Sequence, residues 1–494
     1  MTPRLVMLSL LALSACTVGP DFHSPAAPRA QAYTREPMPS ETVDPRGPGG
    51  GAQRFVRSDA APRAWWRGFG SGELDRLVDE ALHRSPTVEA ARSRLIAARE
   101  NYRAQAGQTE LPSVDAGLSA TRRKVDLASF GLANTASPPP FTLYDASVSV
   151  TYLLDVFGGN RRALEGTRAQ VDYAAFELDA ARLSLAGNVV SAAIRRASLR
   201  QQLALTRQLA AAQAQQLGIM ERRQAAGGVS ELDVHAQRTL LAQTRATIPP
   251  LAAQLAQTGH RLAVLVGLPS AEADMGDIAL DELRVPGTVP VTLPSTLARE
   301  RPDIRASEAL LHRASADVGV ATANLFPQFS IAASAGSERT HIRDILKQFN
   351  VWSIGLSMTQ PIFRGGALRA QRRAAQATYQ AALADYRETV LQALQQVADA
   401  LQALQSDAET LDVRDAASRE AEASLHVASA RYAAGGISEF ALIDAQRQAL
   451  AAGLDRTKAQ ADRLVDTAAL YQSLGGSPLE QREAHDAPSL PAQN

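Results

Sequence analysis

A single cysteine, Cys16, in 494 residues excludes any internal disulfide. Aromatic residues make up only 5% of the chain, too few for a thick globular core, while Ala, Leu, Gln and Arg dominate its long segments. Lysine plus arginine equals aspartate plus glutamate at 51 each, so no charge excess draws the chain toward nucleic acid or an anionic surface. Eight histidines are scattered without a pair at metal-ligand spacing, and six methionines form no cluster. A phosphate-cradling glycine loop and a Gly-x-Ser-x-Gly nucleophile turn are also missing. Nothing here supports an enzyme, and no cofactor or metal is expected.

Proline and glycine are missing from Ala367 to Ala434. Within that stretch Leu383, Tyr386, Val390, Leu394, Val397, Leu401, Leu404 and Leu411 recur in steps of three, four and seven, a helical seam close to the coiled-coil period. An unbroken helix of this length reaches about 100 Å at 1.5 Å per residue. No compact single-core domain needs such a rod. It ends at Arg431-Tyr432-Ala433-Ala434-Gly435-Gly436-Ile437-Ser438-Glu439-Phe440, where the glycines suit a helix C-cap and Ser438 the next N-cap. Arg223-Gln224-Ala225-Ala226-Gly227-Gly228-Val229-Ser230-Glu231-Leu232 matches it at a constant offset of 208 positions, as from Arg223 to Arg431. Ala236-Gln237-Arg238 then matches Ala445-Gln446-Arg447 after a slip of one. The pattern is an internal duplication of a long helical hairpin. In the first copy the rod from Asn160 to Ala226 lacks proline, and Pro249-Pro250 is expected to break the returning helix.

Residues 1–15 carry one early cation, Arg4, then an apolar run, and read as a secretory signal too short to span a bilayer. The run ends in Leu13-Ser14-Ala15-Cys16, which resembles a bacterial lipobox and predicts acylation of Cys16. Thr17 after the cysteine implies sorting to the outer membrane. Residues 16–64 read as an extended arm, 270–294 as a linker between two repeats (65–269 and 295–477), and 478–494 as a disordered tail.

Each half also holds two stretches of period two, expected as strands at about 113–122, 142–153, 328–337 and 351–361. Val114, Ala116, Leu118 and Ala120 alternate with Asp115, Gly117, Ser119 and Thr121; Trp352, Ile354, Leu356 and Met358 alternate with Ser353, Gly355, Ser357 and Thr359. Strands of about ten residues with one apolar and one small polar face suit an outer-membrane barrel, although one face of a soluble sandwich has the same pattern. Four strands cannot close a barrel, for which about eight is the practical minimum. Three chains would supply twelve.

Together with Val18-Gly19-Pro20-Asp21-Phe22, Leu325-Phe326-Pro327, Gln360-Pro361-Ile362-Phe363 and Asp444-Ala445-Gln446-Arg447, these features resemble the outer membrane factors. Within those TolC-like channels the similarity is greatest to the OprM and NodT branch of efflux lipoproteins. The resemblance implies a mainly α protein with membrane β: a trimeric, 12-stranded transmembrane β-barrel, four strands per chain, continued by a periplasmic α-helical barrel. It implies an exit duct for small molecules such as drugs, partnered by a periplasmic adaptor and an RND-type inner-membrane pump. It further implies a gate at the hairpin tips, with Phe440 as an apolar constriction, Asp444 as an acidic ring, and Arg431 and Tyr432 holding neighbouring helices. Gly227, Gly228, Ser230, Gly435, Gly436 and Ser438 are the implied adaptor contacts. Asp444 as a solvated helix residue and Phe440 as a coiled-coil core position are the plainer alternatives. His235 or Asp233 falls near the matching place in the first half and carries no role beyond tip packing. A periplasmic adaptor lipoprotein and a channel for protein secretion are the other functions the pattern leaves open.

Overall fold

The computed structural model describes residues 17–58, 62, 64–127 and 137–475. Cys16, the signal segment and the 478–494 tail lie outside the described residues. In chain order the elements are β1 (Arg54–Arg57), α1 (Gly72–Arg84), α2 (Pro86–Glu110), β2 (Ser113–Arg123), β3 (Phe141–Leu154), α3 (Gly159–Ala225) and α4 (Glu231–Val266). They continue with β4 (Thr288–Val291), α5 (Pro294–Glu300), α6 (Pro302–Ala323), β5 (Gln328–Arg339), β6 (Val351–Thr359), α7 (Ala367–Ala433) and α8 (Glu439–Ser473). Helices α3 and α7 are each 67 residues long.

Two compact units divide the chain, the first comprising residues 1–25, 94–174 and 306–386. It holds a four-stranded antiparallel sheet in the order β2-β3-β5-β6. The pairing of β3 with β5, Val148 opposite Ala335 and Val150 opposite Ala333, joins strands from the two sequence repeats. Register puts Leu118, Ala146, Val148, Ala335 and Trp352 on one continuous face. On the other face Ser330 and Ser357, and Ser334 and Ser353, pair hydroxyl to hydroxyl at 2.9 Å. Strand β6 stops at Thr359 rather than reaching residue 361, because Pro361 has no N–H to give the ladder. The first described residues dock on this unit: the Val18 amide donates to the Phe157 carbonyl at 3.1 Å. Asp21 then pairs with Arg162 at 2.5 Å, and Phe22 stacks on His312 at 4.3 Å. The guanidinium of Arg162, first through its hydrogen bond, holds the Asp21 carboxyl below the usual range.

The second unit comprises residues 26–93, 175–305 and 387–494. Trp65 stacks on Tyr471 at 5.5 Å and meets Trp66 edge-on at 5.9 Å, and the apolar side of α1 (Leu74, Leu77, Val78, Ala81) is buried. The extended arm supplies β1, which pairs in parallel with β4 of the segment between the repeats. Fully buried Arg463 of α8 holds the arm by donating to the carbonyls of Gly49 at 3.0 Å and Gly51 at 2.6 Å. Burial is also the main reason its pKa falls to about 10.

One expectation fails in this unit. Pro249-Pro250 does not break the returning helix, since α4 runs unbroken through both prolines. The fixed φ of proline suits helix, and the carbonyls left without a partner fall on Arg245 and Ala246, both exposed, where water can satisfy them.

Candidate functional site at the hairpin tips

Both tips are built by the same backbone device. Gly227 at the end of α3 and Gly435 at the end of α7 each take φ +77°, the left-handed region that favours glycine. At the first tip Gly228 N–H donates to the Arg223 carbonyl at 2.8 Å and Gly227 N–H to the Gln224 carbonyl at 2.9 Å. At the second, Gly436 donates to Arg431 at 2.8 Å and Gly435 to Tyr432 at 3.0 Å. Each is a Schellman turn, satisfying carbonyls the helix end would leave unpaired.

Serine starts the return at both tips. Ser230 Oγ accepts from the Asp233 amide at 3.2 Å while the Asp233 carboxylate accepts from the Ser230 amide at 3.2 Å, a complete capping box. Ser438 Oγ accepts from the Ala441 amide at 3.4 Å, and Ala441 has no carboxylate with which to reciprocate. Asp233, expected from sequence as tip packing, is the N3 residue that completes the Ser230 capping box, and His235 lies 3.5 Å from Glu231.

The predicted gate residues differ in burial. Arg431 is exposed. Phe440 is 78% exposed, and exposed Asp444 accepts from Gln448 at 2.6 Å. Tyr432 is instead half-buried, with the Arg223 guanidinium 5.7 Å from its ring centroid and the buried Glu439 carboxylate beside its hydroxyl. Tyr432 and Glu439 lie close enough to affect each other's titration, yet neither the hydroxyl nor the carboxylate oxygens complete a hydrogen bond of good geometry. Burial, then the Glu439 carboxylate, pushes the Tyr432 hydroxyl up to about 12. Glu439 itself is raised, first by burial and then by the charge of Asp233, against the lowering effect of Tyr432, Gln216 and Arg223.

Arg223 and Glu439 escaped the sequence reading. The duplication did hold a signal, because Arg223 is the repeat partner of Arg431 and Glu439 that of Glu231. Among the described residues no group of three or more His, Cys, Asp or Glu side chains could hold a metal ion. No described helix is long and apolar enough to cross a membrane. The arrangement offers charge and apolar bulk at two turns.

The family described as Outer membrane efflux protein matches residues 77–268 and 293–476. This chain belongs to that family. A member of the outer membrane efflux proteins is the outer-membrane channel of an efflux system, which accords with the sheet and the paired rods above. Among its relatives, the pyoverdine export outer membrane protein OpmQ of Pseudomonas putida is 32% identical over 425 residues, covering 85% of this chain and 89% of that one. Nodulation protein T of Rhizobium leguminosarum bv. viciae is 31% identical over 445 residues, covering 89% and 86%. The solved outer-membrane channel OprN superposes with a TM-score of 0.82 at 30% identity, covering 94% of this chain and all of its own.

Proposed function

We propose that this efflux protein works as a homotrimer, the passive exit duct of a tripartite pump for small molecules such as drugs. The observation that carries the reading is the four-stranded sheet, whose outer strands β2 and β6 each have one unpaired edge and whose apolar face is exposed at Val114, Leu118, Trp352, Ile354 and Leu356. In lipid every backbone donor and acceptor needs a partner, so edge strands must meet. Three copies, β6 to β2, close a twelve-stranded barrel with the serine face toward a wet lumen. The helices then stand in the periplasm, and acylated Cys16 adds an anchor after removal of the signal peptide.

Threefold symmetry would bring three copies of Phe440 and of Asp444 around the axis at the tips. Exposed in one chain, both are free to face that axis, as an apolar constriction and a carboxylate ring that attracts cations. Arg431 and Tyr432 brace neighbouring helices, while the turns at Gly227, Gly228 and Ser230 and at Gly435, Gly436 and Ser438 meet the adaptor through which an RND-type pump delivers substrate. Energy and most selection belong to the pump.

Single-channel conductance in a planar bilayer tests this. The wild type should give small, cation-preferring events, and the Phe440→Ala/Asp444→Ala variant much larger ones. Well-folded trimers of both without any pore would sink the channel mechanism, and equal conductance would move the gate elsewhere.

A further inference from the structure

Directly after β6 stands the most exposed apolar pair among the described residues, Ile362 at 94% and Phe363 at 86%. Beyond them come Arg364, Arg369, Arg372 and Arg373, all exposed. No acidic residue lies between Ile345 and Ala384, so none of these arginines has a carboxylate within one helical turn. On α7 the residues Arg369, Arg372, Arg373, Gln376 and Gln380 are spaced by three, four, seven and eleven from the first, which places them on one face. That face bounds a cavity of about 570 Å³. Arg372, Gln376 and Tyr379 form one side, Val318 and Thr322 of α6 another, and Pro20 of the N-terminal arm closes it. No carboxylate lines the cavity, and Pro20 is four positions from Cys16.

A cavity holding one guanidinium, hydroxyls and apolar carbon, on a helix face that carries further arginines, next to an exposed apolar pair at the helical end of a sheet with an apolar face, matches an amphiphile with an anionic head. We propose that this face of α7 binds the phosphate head group of an anionic phospholipid of the inner leaflet of the outer membrane. The acyl chains lie along Ile362, Phe363 and the apolar face of β6. Arginine favours phosphate because its planar guanidinium can donate two parallel hydrogen bonds. Lipid anchoring by one covalent site is strengthened by a polybasic patch, and Arg364, Arg369, Arg372 and Arg373 supply one, with Arg372 lining the cavity that Pro20 of the N-terminal arm closes. This inference rests on the barrel reading, which sets the end of β6 at the periplasmic interface.

The test uses the full-length protein reconstituted in vesicles of phosphatidylethanolamine with phosphatidylglycerol, with retained lipid counted by native mass spectrometry. The wild type should retain phosphatidylglycerol well above its share of the vesicle. The Arg369→Gln/Arg372→Gln/Arg373→Gln variant should lose at least about tenfold of that preference, each cation near a charged membrane surface contributing about 1 kcal/mol. The matching triple lysine variant should keep most of it. Retention in proportion to vesicle composition, equal retention by wild type and glutamine variant, or loss of the trimer in the glutamine variant would each overturn the proposal, the last by making this face a subunit contact. Should the glutamine variant not fold, the wild type decides: preference must fall at about 1 M salt, where the Debye length is about 3 Å, and an unchanged preference overturns it. Pore activity of the same preparation separates the two readings. A pore without lipid preference removes only the lipid site, and no pore removes the channel beneath it.

Discussion

The two hairpin tips share a backbone and differ in what they bury. Both turns place glycine at φ +77° and close with the same pair of amide-to-carbonyl bonds. Leu232 and Phe440, which occupy matching positions, are each 78% exposed. The glutamates just before them diverge. Glu231 is exposed and near His235, whereas Glu439 is buried among Tyr432, Gln216 and the charge of Asp233. The first tip also completes a capping box that the second lacks. Duplication therefore kept the turn, which backbone sterics demand, while the second tip encloses a carboxylate whose oxygens complete no hydrogen bond of good geometry.

The largest effect expected from breaking this comparison is at the shared glycines. Gly227→Val and Gly435→Val should each destabilise their own tip by about 1–2 kcal/mol, the cost of left-handed backbone for a residue with Cβ. Hydrogen exchange at the following turn would read it, and clearly unequal losses would show that the two turns are not equivalent.

Next is the glutamate pair. A carboxyl whose folded pKa is raised stabilises the fold fully below its unfolded pKa of about 4.3, and the contribution is lost as pH rises toward the folded value. Glu439→Gln should accordingly stabilise the second tip by about 1 kcal/mol at neutral pH, by removing an ionised group from a poorly paired site, and should flatten its acid dependence. Glu231→Gln, at an exposed position, should leave the stability of its own tip unchanged. Exchange rates followed from acid to neutral pH decide between them, and a flat profile at the wild-type second tip would refute the assigned burial.

Smaller again is the capping asymmetry. Asp233→Ala should cost about 0.5–1 kcal/mol at the first tip, and Ala441→Asp should stabilise the second by a similar amount if the box can be transplanted. The smallest change belongs to the exposed Arg238–Glu221 pair at 2.7 Å in the first hairpin, where Arg238→Ala should cost about 0.2–1 kcal/mol and less in high salt. Thermal unfolding with and without salt would register it.

A separate point, sensitive to rising pH, lies between α7 and α8. Asp407 is raised to about 7 by burial first, then by its neighbour Asp466. Stability should drop as pH climbs from about 4 toward 7. Asp407→Asn should remove that slope in urea unfolding curves.

Features with a local cause were open to reading along the chain. Helical period, strand alternation and the Gly-Gly-x-Ser turns follow from sterics acting over a few residues, and they located the rods, the strands and both tips. The prolines at 249 and 250 mislead, because their lost hydrogen bonds imply a break only where the freed carbonyls are cut off from water, and those of Arg245 and Ala246 belong to exposed residues. Tyr432 was picked out for contacts with neighbouring helices, and its Arg223 and Glu439 surroundings come from positions that only folding brings near.

By itself the sequence determined the repeat, the two helical hairpins with their turn chemistry, and four amphipathic strands, since each depends on neighbours in the chain. Tertiary structure alone decided that β3 of one repeat pairs with β5 of the other, that Arg463 is buried to hold the arm, and that Glu439 is enclosed while Glu231 stays in water. Burial depends on which distant segment covers a residue, and no local period records that.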